Sequence, residues 1–373
     1  MRSKHGIKIM NNVSTKESLQ VDLNTIYKDM PEELLDREGY LRLAAVTELL
    51  PAELSNFWGL ECRLHTADPL ADVLFEIKNR SLGQKLLAGH NPSSLDALCA
   101  EYQVWREMRT FAGQWAHEAN ILNKHICNLW LEFDTEQLTS HDFAAHLIRN
   151  PSVFLGLRSK ELSRPERAEI LHYASDLLHI PGFLLADLQF VMNSIPPAGQ
   201  LFQLGSMLGR PSRDIRVCVN QLHPEVIPGW LTEIGWRGDK LALSEFLHRL
   251  TPLLRAVAID LNLTEDGPAS KIGIECYMNW DDENPEQWGV LLDLMQEFVQ
   301  CHPGKRKGLL QYPGTIPLPA KRRKTPDNAL CLSLFKMIHH IKLGWDGGGP
   351  TDAKAYLAVY RPGMHFNSKW FIQ

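Results

Sequence analysis

Four basic side chains occupy segments in which apolar residues recur at every second position. They are Arg216, Lys271, Lys342 and Lys354. A period of two is typical of a half-buried strand, and each of these side chains lies on the face opposite the apolar one. Lysine and arginine can hold a multiply charged anion without a metal ion when several of them converge. The sequence therefore favours binding of an anionic small molecule.

Carboxylate and aromatic side chains share these polar faces. Glu132, Asp260 and Glu275 are candidates for proton exchange with a ligand. We favour Glu132 because Trp130 lies on the same face two positions earlier. Aromatic faces attract cations and exclude water, and the inward aromatic residues are Trp130, Tyr277, Tyr356 and Tyr360. Alternatively, inward acids and bases pair with one another across the sheet, with little functional consequence.

The alternation predicts ten strands in five pairs. In the second pair, Leu129, Leu131 and Phe133 face one way, whereas Trp130 and Glu132 face the other. One apolar face per strand is typical of an antiparallel sheet covered by helices on one side. The predicted pairs are residues 60–66 and 72–78, 127–134 and 152–158, 201–207 and 214–220, 257–263 and 271–278, and 339–345 and 354–360.

Helical patterns separate the strand pairs. A helix over residues 163–178 opens with a capping box of Ser163 and Glu166. A helix over 284–299 has Asn284 as its N-cap and Pro285 at its first position. The other predicted helices cover residues 95–119, 184–192, 223–234, 241–254 and 305–311. The order therefore predicts an α/β fold of five ββαα units.

The number of strands indicates how the sheet ends. Ten long strands in an open sheet would leave two unpaired edges. We therefore predict a closed, ten-stranded antiparallel barrel with helices outside and a polar lumen. A barrel of this size leaves room for a ligand. The alternative is an open two-layer sandwich whose polar face is exposed to water.

Composition and charge indicate one large intracellular domain. The 373 residues are 44% hydrophobic, which is enough for a sizeable core. A net charge of −5 provides no basic excess for docking on nucleic acid. Neither a signal peptide nor an apolar stretch of about 20 residues is visible, and the seven cysteines are scattered, as expected for reduced thiols. We expect a cytoplasmic protein that contacts neither nucleic acid nor membrane, with a loosely ordered arm over residues 1–40 and one barrel domain over 41–373.

Four short motifs leave this interpretation unchanged. Residues 347–350 are glycine-rich, lie between two strands and predict a hairpin turn. His339 and His340 alternate faces, so we do not expect them to chelate one metal ion. The acidic run 281–283 precedes a helix, where acidic residues are common. The basic run 321–324 is expected to be a solvated loop.

The predicted architecture resembles the aromatic prenyltransferase barrel, the ABBA fold, and in particular enzymes of the dimethylallyl-tryptophan synthase kind. The resemblance covers residues 60–361. By motif, Lys354-Ala355-Tyr356 on the last strand matches the Lys-x-Tyr pairs typical of that family, although the other four units lack such pairs. The family holds an allylic diphosphate inside the barrel, with lysine and arginine around the diphosphate and tyrosines shielding the carbocation.

The resemblance implies a function and a set of roles. The protein would transfer a prenyl group from an allylic diphosphate to an aromatic small molecule or peptide in secondary metabolism. Glu132 would be the catalytic carboxylate. The substrate-binding residues would be Trp130, Arg216, Lys271, Glu275, Tyr277, Lys342, Lys354, Tyr356 and Tyr360. No cofactor is implied, and Mg²⁺ is compatible but not required.

Two other functions remain open. The barrel could bind a small molecule or peptide of a biosynthetic pathway without catalysis, because a fold does not fix a function. A scaffold role is supported by the ten tryptophans and by the tail at residues 366–373. Convergence of Arg216, Lys342 and Lys354 beside Tyr356 would favour the enzyme. Pairing of each with an inward carboxylate would favour the binding barrel.

Overall fold

The computed structural model describes residues 17–135, 147–212, 214–278, 285–299, 301–319 and 332–361. Its strands form one antiparallel sheet in which strands consecutive in the chain are mostly neighbours. They are β1 (Phe57–Arg63), β2 (Ala71–Lys78), β3 (Ile126–Phe133), β4 (Ser152–Leu157), β5 (Gln200–Met207), β6 (Ile215–Asn220), β7 (Ala256–Thr264), β8 (Gly267–Tyr277), β9 (Gly314–Pro317), β10 (Ser333–Asp346) and β11 (Gly349–Tyr360).

The sheet closes on itself. The last strand, β11, pairs with β10 on one side and with β1 on the other. The strands β1 to β8, β10 and β11 therefore form a ring of ten, while β9 adds to the first residues of β10 outside this ring. The predicted closed barrel is confirmed, and the open sandwich is wrong.

Two helices precede the first strand pair, further helices follow β2, β4, β6 and β8, and all of them pack on the outer face of the barrel. They are α1 (Gln20–Tyr27), α2 (Arg37–Thr47), α3 (Leu82–Leu87), α4 (Leu95–Glu101), α5 (Gln103–Ala116), α6 (Ile121–His125), α7 (Arg164–Leu178), α8 (Leu185–Ser194), α9 (Ile227–Glu233), α10 (Lys240–Leu250), α11 (Pro285–Gln296) and α12 (Pro303–Gln311). The apolar faces of the strands meet these helices, so residues such as Leu129 and Leu131 are fully buried.

The two ends of the barrel differ in their connections. At the hairpin end, β7 joins β8 and β10 joins β11 through short turns. Gly347 in the second turn has a positive φ of 63°, which favours glycine, so the predicted hairpin over residues 347–350 is confirmed. At the opposite, helical end, β2 and β4 finish and β3 and β5 begin.

Local sequence explains where several helices begin and break. The capping box of α7 forms as predicted, and Ser163 N donates to Glu166 Oε2 at 2.8 Å. The helix expected over 95–119 is divided because Tyr102 is extended, with φ −112° and ψ 135°, and this separates α4 from α5. The proposed N-cap Asn284 and the runs 281–283 and 321–324 lie outside the described residues, as does the tail 366–373.

The interpretation of residues 1–40 as a loosely ordered arm is wrong for its described part. Residues 20–27 form α1, whose Leu23 and Ile26 are fully buried. Arg361, just after β11, holds this helix through Asp22, with Nε donating to Oδ2 at 3.1 Å. Residues 1–16 lie outside the described part of the chain. None of the described helices is long and apolar enough to cross a membrane.

Candidate functional site

The barrel encloses a cavity of about 1440 Å³. Polar faces of the strands line this lumen, as the alternation predicted. All predicted site residues except Tyr360 are among its lining residues: Trp130, Glu132, Arg216, Lys271, Glu275, Tyr277, Lys342, Lys354 and Tyr356. Tyr360 instead stacks on Phe57 and Phe335, with ring centroids 6.1 and 5.3 Å apart.

Lys354 and Tyr356 project from β11 onto Glu61 of β1. Lys354 Nζ donates to Glu61 Oε1, and the Tyr356 hydroxyl donates to Oε2. Glu61 is buried, which by itself would raise its pKa, but the Lys354 ammonium and the two hydrogen bonds outweigh burial and hold the pKa at about 2. The carboxylate is therefore ionised. Glu61 was not among the predicted site residues, although it lies on the polar face of a predicted strand.

A second contact joins Arg216 and Lys342 through Asp260. Both cations donate to Asp260 Oδ2, and Arg216 Nε also donates to Asn262 Oδ1 at 2.5 Å. Burial opposes ionisation of Asp260, but Lys342 and Arg216 hold its pKa at about 2. The neighbouring residue across the sheet is Gly273, where a Cβ would overlap Asp260 Oδ1. The absence of a side chain at Gly273 leaves the space that the Asp260 carboxylate occupies.

Lys271 completes this region by contacting Asp352. We call the region the paired wall; it consists of Arg216, Lys271, Lys342 and Lys354 with Glu61, Asp260 and Asp352. The cations converge on one cavity, as an enzyme would require. Each also contacts a carboxylate, as a binding barrel would predict. Because these four cations share three carboxylates, most of their positive charge is already offset and little is left to bind a diphosphate.

Aromatic rings extend the paired wall towards the helical end. His340 stacks on Tyr356, with centroids 4.1 Å apart, and lies 4.9 Å from Tyr277. The Tyr277 hydroxyl donates to Glu275 at 2.5 Å. The expected alternation of His339 and His340 is wrong, because a β-bulge in β10 places both rings at the lumen, with their Nδ1 atoms 2.7 Å apart. Burial lowers the pKa of His339 to about 3, so this imidazole is neutral near pH 7.

Glu132 differs from the carboxylates of the paired wall. No hydrogen bond or ion pair reaches its carboxyl among the described residues. Burial, Glu61 and Asp134 together raise its pKa to about 7, which suits a group that exchanges a proton near neutral pH. Trp130 lies beside it on the same face, edge-on to Phe57 at 5.8 Å. The carboxyl predicted to be catalytic therefore lies in the lumen and can gain or lose a proton near neutral pH.

A group of five cations at the helical end was not among the predicted site residues. We call it the mouth cluster; its members, which all line the cavity, are Lys78, Arg80, Lys124, Arg158 and Lys160. All but the half-buried Arg158 are exposed to solvent. Lys78 Nζ lies 3.5 Å from Glu76 Oε2. Lys124 Nζ lies 3.4 Å from Glu166 Oε1. Lys160 donates instead to the amide oxygen of Gln221.

Arg80 in the mouth cluster is held by a network of neutral amides. Its Nη2 donates to Asn123 Oδ1 at 3.0 Å, and its backbone N–H donates to Gln84 Oε1 at 2.7 Å. Asn123 is buried and donates in turn to Trp115 O at 2.9 Å. Arg80 has a positive φ of 61°, a strained conformation for a residue with a side chain. The network therefore fixes the guanidinium at the opening without neutralising it.

The described residues contain no group of three or more His, Cys, Asp or Glu side chains that could hold a metal ion. The expectation about Mg²⁺ stays a prediction.

Comparison with solved structures finds the same fold in aromatic prenyltransferases. The apo form of prenyltransferase PriB has a TM-score of 0.50 at 14% identity, covering 93% of this chain and 99% of that one. The 6-dimethylallyltryptophan synthase of Micromonospora olivasterospora, solved with DMASPP and Trp, has a TM-score of 0.51 at 13% identity and covers 92% and 98%. AnaPT from Neosartorya fischeri has a TM-score of 0.51 at 12% identity and covers 93% and 92%.

These similarities show that the chain has the prenyltransferase-barrel fold, as the sequence analysis expected. At 12–14% identity they concern the fold alone. Comparison with protein-family models found no match, and comparison with curated protein sequences found none either.

Proposed function

We propose that the protein transfers a prenyl group from an allylic diphosphate to an aromatic acceptor inside the barrel. One observation carries this proposal: a single enclosed lumen brings together cations that are not neutralised, several aromatic faces and a carboxyl that titrates near pH 7. These are the groups that ionisation of an allylic diphosphate and attack by an aromatic ring need.

The mouth cluster is the better candidate for binding the diphosphate. A diphosphate carries several negative charges and needs donors whose charge is still available. Arg80 and Lys160 bond to amide oxygens and form no ion pair with a carboxylate among the described residues. In the paired wall, Arg216 and Lys342 must first release Asp260. The predicted diphosphate roles of Arg216, Lys342 and Lys354 therefore become secondary to Arg80 and Lys160.

Aromatic residues below the mouth cluster would stabilise the carbocation. Trp130 lies on β3 two positions beyond Asn128, which pairs in register with Lys78 of the mouth cluster. Phe154 is the register neighbour of Trp130 on β4. The rings of Tyr356 and Tyr277 face the same lumen. When the carbon–oxygen bond of the donor breaks, diphosphate leaves at the mouth, and these faces stabilise the allylic cation and exclude water.

Glu132 would complete the transfer. The acceptor ring attacks the allylic cation and forms a new carbon–carbon bond. The acceptor ring is then positively charged and still carries a proton at the bonded carbon. The ionised form of Glu132 takes this proton, restoring the aromatic ring and giving a neutral carboxyl. Glu132 lies two positions beyond Trp130 on β3, on the side of Trp130 away from the mouth cluster.

The test is a thermal-shift titration with dimethylallyl, geranyl and farnesyl diphosphate, each with and without Mg²⁺, followed by mass spectrometry of mixtures with indole. At a donor concentration of about 100 times Kd, the expected rise in melting temperature is roughly 3–4 °C. It should disappear in the double variant Arg80→Ala/Lys160→Ala, and prenylated indole should form only with the wild type. No rise with any of the three donors would reject the proposal.

The second candidate is a barrel that binds a small molecule or peptide without catalysis. The paired wall favours it, because every cation predicted to bind substrate already contacts a carboxylate. Such a barrel would bind aromatic ligands and leave allylic diphosphates intact. The mass-spectrometric assay therefore separates the two functions.

A further inference from the structure

The cavity follows strand β8 from one end of the barrel to the other. Every second residue from Ala269, near the turn to β7, to Tyr277, at the helical end, lines the cavity. Eight strand residues extend about 26 Å, or about 20 Å along the axis of a barrel whose strands are tilted. The lumen is therefore a passage along the barrel axis and reaches the hairpin end as well as the helical end.

Solvent-exposed side chains line this passage at both ends. At the helical end, the side chain of Lys124 in the mouth cluster is 63% exposed. At the hairpin end, the side chain of Lys271 is 53% exposed, although it also lines the cavity. We call this second end the hairpin opening; its residues, which all line the cavity and are at least half-buried or exposed, are Arg210, Asn262, Ala269, Lys271 and Asp352.

The two ends of the passage carry different charge. Among the described residues, the carboxylates that line the cavity near the five cations of the mouth cluster or contact them are Glu76, Glu118 and Glu166. The mouth cluster therefore keeps an excess of positive charge. At the hairpin opening, Arg210 contacts Asp134. Lys271 contacts Asp352 there, so that two cations face two carboxylates and cancel.

This difference in charge directs an anionic donor to one end. An opening that carries a net charge raises the association rate of a ligand of opposite sign. An allylic diphosphate is therefore attracted to the mouth cluster and gains nothing at the hairpin opening. Once bound, its diphosphate occupies the helical end of the passage.

The size of the lumen leaves room for a second ligand behind the donor. Its volume of about 1440 Å³ exceeds the roughly 300–1,000 Å³ of most small-molecule pockets. Glu132 lies on the side of Trp130 away from the mouth cluster. The hairpin opening therefore gives access to the carboxyl without passing the bound diphosphate.

We propose that the hairpin opening is a second entrance, through which the acceptor enters and the prenylated product leaves, while the donor enters and diphosphate leaves at the mouth cluster. The inference rests on the proposed function for the identity of the two ligands. An acceptor longer than the lumen, such as a peptide, can then insert its aromatic ring at the hairpin opening and keep the rest of the molecule outside the barrel.

The first experiment needs no variant. Stopped-flow fluorescence follows binding of 2-naphthol, a neutral aromatic probe, to the wild type with and without saturating inorganic pyrophosphate. Pyrophosphate at the mouth cluster leaves the hairpin opening free, so we expect the association rate constant of 2-naphthol to stay within about twofold. Entry at the helical end would instead be slowed by about tenfold or more.

The second experiment narrows the hairpin opening with Ala269→Trp. Because the probe passes the same opening in both directions, association and dissociation of 2-naphthol should each slow about tenfold while Kd changes little. The affinity for pyrophosphate should be unchanged, which also shows that the variant folds. The control is Ala186→Trp, which adds the same side chain at an exposed position of α8 outside the barrel and should leave both rates unchanged.

Three results would overturn the inference: pyrophosphate that slows entry of 2-naphthol, entry into Ala269→Trp at the wild-type rate, or no binding of 2-naphthol to the wild type. A parallel change in Kd and rate in Ala269→Trp would assign the effect to a damaged site, which also contradicts it. These measurements contain no prenyl donor. Entry at the hairpin opening without a thermal shift by any allylic diphosphate would reject the proposed function and keep the second entrance.

Discussion

The mouth cluster and the paired wall both line the lumen with cations, but they hold these cations in different ways. In the paired wall, Arg216 and Lys342 share the buried Asp260. In the mouth cluster, Arg80 and Lys160 are exposed and bond to the amide oxygens of Asn123 and Gln221. Buried cations need carboxylates to offset desolvation, whereas exposed cations do not. We conclude that the paired wall mainly maintains the barrel and that the mouth cluster is available to a ligand.

The largest expected effect comes from removing the centre of the paired wall. Asp260→Ala leaves Arg216 and Lys342 buried without their carboxylate, which costs about 3–5 kcal/mol of the free energy of unfolding. Urea denaturation measures this cost. Lys160→Ala at the mouth is the matched control, because Lys160 is exposed, and it should change stability by less than about 0.5 kcal/mol. Equal effects at the two positions would remove the distinction between the two regions.

A smaller effect is expected from adding one methyl group beside the same carboxylate. Gly273→Ala places a Cβ where Asp260 Oδ1 and Lys342 Cε lie, so the ion pair must shift, at a cost of about 1–3 kcal/mol. Gly113→Ala, in α5, meets nothing within 4 Å and should stabilise the protein by about 0.5–1 kcal/mol. Thermal unfolding of the two variants gives the comparison. Equal and favourable shifts would mean that Asp260 does not need the space above Gly273.

Glu132 gives a prediction whose sign depends on pH. Its pKa is raised to about 7 in the folded protein, mainly by burial. Between about pH 4.5 and pH 7 the unfolded state releases this proton while the folded state keeps it, so stability falls over that range. Below about pH 4.5 both states are protonated, and above about pH 7 the penalty is complete. Glu132→Gln should raise the free energy of unfolding by about 2 kcal/mol at pH 8, an effect that shrinks as the pH falls from 7 to 4.5. A variant less stable than the wild type at pH 8 would contradict the account.

The smallest effect is expected at the edge of the paired wall. Tyr356→Phe removes one hydrogen bond to Glu61, worth about 1 kcal/mol. The pKa of Glu61 is lowered to about 2, so this contribution is present above the usual value near 4.5 and is lost as the pH falls through 2. Denaturant titrations at pH 7 and pH 2 measure it. An equal loss of stability at both pH values would assign the effect to packing of the ring.

The sequence allowed the barrel to be predicted because period-two patterns report directly on which face of a strand is buried. The same patterns placed Glu132, Lys354 and Tyr356 in the lumen. They could not show that Lys354 meets Glu61, because this contact joins the last strand to the first and exists only in the closed barrel.

The mouth cluster was not predicted, for a related reason. Its residues lie at or beyond the ends of strands in different units. The alternation of apolar and polar residues shows which way a side chain points only within a strand. Lys78 and Arg158 do lie at the ends of two predicted strands. In an up-and-down barrel those ends meet at the same opening, which was the available signal. The bulge at His339 and His340 was hidden because it interrupts the period on which the prediction relies.

The central claim is that a diphosphate binds at the mouth cluster and not at the paired wall. Calorimetric titration of inorganic pyrophosphate into the wild type, Arg80→Ala/Lys160→Ala and Lys342→Met/Lys354→Met tests it most directly. We expect the mouth variant to lose about 100-fold or more in affinity, as two charge-assisted hydrogen bonds require, and the wall variant to stay within about threefold of the wild type. Loss of binding in the wall variant alone, or no binding to the wild type, would contradict the account.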